Sequence, residues 1–118
     1  MNLITLEILQ KLLELEIKLG GYEIEKFKKE FDNNPGIALD WSYHLFERVA
    51  LKQEAEYLLD IIRKNKKITI EKIKGYLEED VLNGARFPSH STSITANLWV
   101  ESKLVAKAHI LSKIMRGY

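Results

Sequence analysis

The chain has 118 residues, 46% of them apolar, and a formal charge of +1. That is the length of one domain, with enough apolar content for a single core. The absence of cysteine excludes disulfides, thiol catalysis and cysteine-held zinc or iron–sulfur centres.

The near-zero charge conceals a split. Residues 1–60 carry 7 Lys+Arg against 12 Asp+Glu, a net of −5, and residues 61–118 carry 11 against 5, a net of +6. Such a division serves an anionic partner, head-to-tail assembly, or attraction between the two halves inside one fold. Met1–Gly20 is apolar, but Glu7, Lys11, Glu14, Glu16 and Lys18 interrupt it. It therefore reads as neither a signal peptide nor a membrane span, and the expected location is the cytoplasm.

In chain order, Leu3–Leu19 predicts a helix. Glu7, Lys11, Glu14 and Lys18 form one narrow charged stripe, with Glu7–Lys11 and Glu14–Lys18 spaced for i,i+4 pairs. Apolar residues occupy nearly all the remaining arc, far more than the usual stripe of a surface helix. Gly20-Gly21 reads as its C-terminal stop. Tyr22–Phe31 then predicts a short helix with Ile24, Phe27 and Phe31 on one side, broken by Asp32-Asn33-Asn34-Pro35-Gly36.

Ile37–Lys64 is a long helix whose apolar face changes along its length. Leu39, Tyr43, Phe46 and Val49 share one face early, whereas Leu51, Ala55, Leu58 and Ile62 occupy another later. With no proline or glycine inside to bend it, two different neighbours are the expected cause. Arg63-Lys64-Asn65-Lys66-Lys67 is a basic connector. Ile68–Leu82 follows as a helix, with Thr69 as a candidate cap and Asn83-Gly84 as its stop. Ala85–His90 reads as a loop. Ser91–Met115 is the second long helix, opened by hydroxyl residues suited to an N-cap. It has one broad apolar face around Leu98, Leu104 and Leu111, and a second made of Trp99, Ala106, Ile110 and Ile114. Packing on two sides is implied. The expected fold is all-α: residues 1–118 form one compact bundle of about five helices, two of them long.

The sequence carries no HExxH, Gly-rich phosphate loop or GxSxG. His44, His90 and His109 are far apart, and the consecutive carboxylates Glu78-Glu79-Asp80 point in different directions on a helix. No catalytic residue, metal ligand or cofactor is therefore assigned. A helix-turn-helix starting at Ile68 is disfavoured by the length of Asn83–His90. The remaining candidates are two surfaces. Trp99, Ile110, Ile114 and Trp41 are assigned to a protein interface, with Leu6, Leu9 and Leu13, or Leu58 and Ile62, as other anchors. Arg63, Lys64, Lys66, Lys67, Lys72 and Lys74, extended by Lys103 and Lys107, form a candidate phosphate-binding patch. A non-enzymatic helical protein acting by association, as a homo-oligomer or an accessory subunit of a larger complex, is the expected function. Nucleic-acid binding through Arg63–Lys74 is the alternative.

Overall fold

A computed structural model describes residues 3–86 and 93–116, the side chains of 37–43, 85–86 and 94–95 excepted. Among the described residues there are four helices and no strand: α1 (Leu6–Asn33), α2 (Ile37–Lys64), α3 (Ile70–Arg86) and α4 (Ile94–Met115). None of them is long and apolar enough to cross a membrane.

Local chemistry sets the helix ends. The Thr5 hydroxyl accepts from Ile8 N–H at 3.2 Å, Thr69 from Lys72 N–H at 3.2 Å and Ser93 from Ala96 N–H at 3.2 Å, so α1, α3 and α4 each start on a hydroxyl cap. Asn34 N–H closes α1 onto the Glu30 carbonyl, and its side-chain oxygen accepts from Gly36 N–H to turn the chain. Asn65 does the same after α2, with its N–H on the Ile61 carbonyl and its side-chain oxygen accepting from Lys67 N–H.

The expected count of five helices becomes four because α1 runs through Gly20-Gly21 without stopping. A side-chain carbon at Gly20 would lie 3.0 Å from Lys52 Cβ on α2. Glycine here lets two helix backbones approach closely, and that packing offsets its poor helix propensity of about 1 kcal/mol. Gly84 behaves alike: α3 continues past Asn83-Gly84 to Arg86, and a Cβ at Gly84 would meet Leu104 of α4 at 2.5 Å. Both glycine signals were therefore contact points and not caps.

α2 packs against α1 and against α4, and α4 packs against α2 and α3. The shifting stripe of α2 thus reflects two neighbours, as its lack of a breaker implied. On α4 the buried row is Ser102, Ala106, Ile110 and Ile114, at four-residue steps. Small residues within it, with Ala50 and Ala55 buried on α2, permit close helix–helix approach. Leu9, Leu13, Ile73, Leu77 and Ile114 are the largest fully buried side chains, and truncating any of them to Ala removes about 2–5 kcal/mol. The segment before α1 closes the lower end: Ile4 is buried, and its N–H donates to the Ile114 carbonyl at 3.3 Å.

The molecule is elongated, 46 × 32 × 26 Å with a radius of gyration of 15.7 Å, against about 13.5 Å for a compact chain of this length. It exposes 8065 Å², where about 6,600 Å² is usual for its mass. Two 28-residue helices in a hairpin produce this shape.

The glycines give a direct test by urea denaturation. Nothing lies within 4 Å of a Cβ at Gly75, so Gly75→Ala gains about 0.5–1 kcal/mol from helix propensity. Gly20→Ala receives the same gain but forces α1 off Lys52 Cβ, and falls at least about 1 kcal/mol short of Gly75→Ala.

Candidate functional site

α1 presents two apolar faces. Leu9, Leu13 and Gly20 are buried toward α2 and α4. At 100° per residue, a second stripe lies about 120° around the helix from them. It comprises Ile8 (38% exposed), Leu15 (49%), Leu19 (43%) and Tyr22 (74%), with half-buried Leu12 between. The steps from Ile8 to Leu12, Leu15, Leu19 and Tyr22 alternate four and three, the 3.5-residue period of helices that pair with other helices. Over about 21 Å of helix, none of the described residues covers Ile8, Leu15, Leu19 or Tyr22, whereas Leu12 leans on the core. The sequence showed the excess apolar arc of α1 but not which part of it would be left outside.

The two rims of the stripe differ in charge. On one side stand Lys11 and Lys18, which make no ion pair among the described residues; Glu14, expected beside Lys18, instead reaches Arg63 of α2 at 3.4 Å. On the other side stand Glu16 and Glu23, which share one guanidinium. Arg48 Nε lies 3.0 Å from Glu23 Oε2, and Arg48 Nη1 lies 3.9 Å from Glu16 Oε2. Neither contact has hydrogen-bond geometry, and Glu16 Oε2 and Arg48 Nε are buried atoms. His44 Nε2 approaches Glu23 at 3.1 Å and His109 Nε2 approaches Glu16 at 3.5 Å. Two carboxylates thus share one guanidinium on this rim, with an imidazole beside each.

Above this network, α1 and α2 flank an open cleft of about 340 Å³, with Leu19, Tyr22 and Phe27 as apolar wall and Glu23, His44 and Arg48 as polar wall. Histidine and carboxylate do converge here, but the carboxylate is already engaged by Arg48. Among the described residues its wall offers no serine, threonine or cysteine as nucleophile. Among the described residues no group of three or more His, Asp or Glu side chains could hold a metal ion.

The residues assigned from sequence are distributed as follows. Ile110 (3% exposed) and Ile114 (0%) belong to the core of the single chain, as do Leu9, Leu13, Leu58 and Ile62. They have no surface to offer a partner. Trp99 is half-buried and packs edge-on against Phe46 of α2 with ring centroids 6.2 Å apart. Trp41 falls outside the described side chains. Of the eight cations, four are paired in the chain: Arg63 with Glu14, Lys64 with Asp60, Lys74 with Glu78 and Lys107 with Asp80, at 2.7–3.4 Å. Lys66, Lys67, Lys72 and Lys103 are exposed. The structure therefore gathers Lys66, Lys67 and Lys72 near the α2–α3 connector and separates Lys103 and Lys107 onto α4.

Glu54 explains where those last two lysines point. It is buried on α2, and burial raises its carboxyl above the ordinary value of 4.5. Lys107 pulls it back down, Asp80 pushes it up and Lys103 pulls it down again. Lys107 is thus engaged by Asp80 of α3 beside the buried Glu54 of α2, with the exposed Lys103 a weaker influence on the same carboxyl.

No family model matches the sequence, and no curated protein or solved structure matches it either.

Two substitutions test these clusters. A native carboxyl that holds its proton more tightly than the unfolded one makes stability fall as pH rises between the two values. Glu54→Gln is therefore more stable than wild type at pH 7, and the gap closes below about pH 4.5 in denaturation curves taken across pH. Arg48→Met leaves Glu16 and Glu23 without their shared cation and loses about 1–3 kcal/mol at pH 7.

Proposed function

We propose that this chain is a non-enzymatic, cytoplasmic helical protein that works by association, as a homo-oligomer or as an accessory subunit of a larger complex. The observation that supports this reading is the uncovered stripe Ile8–Leu12–Leu15–Leu19–Tyr22 on α1, apolar throughout and spaced for another helix. Exposed single apolar residues are ordinary, whereas a contiguous row of them is a docking surface. The interface moves accordingly from the inner face of α4 to the outer face of α1, with Trp99 at most at its margin.

Association is favoured over nucleic-acid binding because half of the proposed cations are neutralised inside the chain. Three exposed lysines near the connector are few for the phosphate contacts that counterion release requires. It is favoured over catalysis because the His44–Glu23–Arg48 group is arranged as an ion network that braces α1 on α2.

The experiment is sedimentation at micromolar concentration, alone and after passage through cell extract. Wild type runs heavier than its 13.7 kDa monomer in one of the two conditions. Leu15→Glu combined with Leu19→Glu returns it to the monomer with its helical circular dichroism intact. A wild type that stays monomeric in both conditions, indistinguishable from the double variant, refutes the reading.

A further inference from the structure

Resting on that association reading and narrowing it to one partner, we infer that the stripe on α1 is covered by α1 of a second copy of this chain, lying parallel and in register. The argument is the charge on its rims. In a parallel pair of helices, the residue before each first-row apolar position faces the residue five further along on the partner. Lys11 then meets Glu16 of the second copy, and Lys18 meets Glu23 of the second copy. By two-fold symmetry each contact occurs twice, giving four opposite-charge contacts from one surface. Among the described residues the cations bring no intrachain ion pair with them, and the two carboxylates share a single guanidinium, that of Arg48. Glu23, with its side chain 40% exposed, is the more open of the two, whereas Glu16 is 18% exposed with its Oε2 buried beside Arg48, so Lys18 to Glu23 is the contact this surface favours.

The antiparallel alternative reverses every sign. It sets the lysine rim against the lysine rim and the glutamate rim against the glutamate rim, so the same apolar contact would be bought with like-charge repulsion on both sides. The stripe also selects its own kind by length. It is apolar for two heptads, after which Lys26 and Lys29 occupy the same rows. A second copy in register ends its apolar row at the same level.

The absence of native cysteine makes the register directly readable. Ile8→Cys and Tyr22→Cys, each made alone in the full chain, place the only thiol near one end of the stripe. On mild oxidation with oxidised glutathione, a parallel in-register pair turns each single variant into a disulfide-linked dimer. An antiparallel pair links neither variant alone and links the two when mixed; that result overturns this inference while leaving self-association standing. A chain that remains monomeric but binds another protein through Leu15 and Leu19 overturns it too, and leaves the broader reading intact. Lys11→Glu with Lys18→Glu, both exposed, raises the dissociation constant of the dimer about tenfold or more. An unchanged constant removes the charge argument and the inference with it.

Discussion

The rotation of α1 about its own axis decides what this molecule shows to the outside. That helix is apolar around most of its circumference, so hydrophobicity alone would let several faces turn inward at similar gain. Two contacts remove the ambiguity. Gly20 admits Lys52 of α2 so closely that no other residue type fits the position without a shift, and Arg48 of α2 draws Glu16 and Glu23 to its side. Turn α1 by one position and both contacts fail: a side chain enters the narrow crossing, and two carboxylates swing away from their cation. The outer stripe is uncovered because these two inner contacts have already chosen its opposite.

The same contacts explain what was and was not legible in the amino-acid order. The class was readable because α-helical periodicity is long and unbroken in Ile37–Lys64 and Ser91–Met115; the helices run over Ile37–Lys64 and Ile94–Met115, with Ser93 as the cap of the second and residues 91–92 outside the described ones. The two-sided character of α4 was readable for the same reason. The glycines were not, because a glycine that ends a helix and one that allows a close crossing look identical until a neighbour is known. Gly20 and Gly84 are both of the second kind. Ile110 and Ile114 illustrate a related limit: a second apolar face on α4 signals a second neighbour, and the neighbour was a helix of the same chain. On α1 the identical signal has no such answer among the described residues. Tyr22, a residue that tolerates water at its hydroxyl, stands at the most exposed point of that face.

Charge tells a parallel story. The acidic front and basic back attract one another in part within the fold, through Glu14 with Arg63 and Asp60 with Lys64. The basic half also consumes some of its own excess, since Lys107 is held by Asp80. What survives is local and not global: a lysine rim and a glutamate rim on α1, and a small cluster of lysines at the α2–α3 connector. Net charge by halves, which suggested an anionic partner, averages over these separate destinations.

The surviving clusters are related through geometry. The α2–α3 connector lies at the end of the bundle where Ile4 meets Ile114, which is also the end from which α1 departs. Two chains paired parallel along α1 would bring their connectors to one common end, doubling the local count of Lys66, Lys67 and Lys72. Paired antiparallel, they would send them to opposite ends of the pair, where each group of lysines is screened from the other. Whether the exposed lysines act as isolated solubilising charges or as one field is therefore settled by the register of α1, and so again by the side chains that fix its rotation.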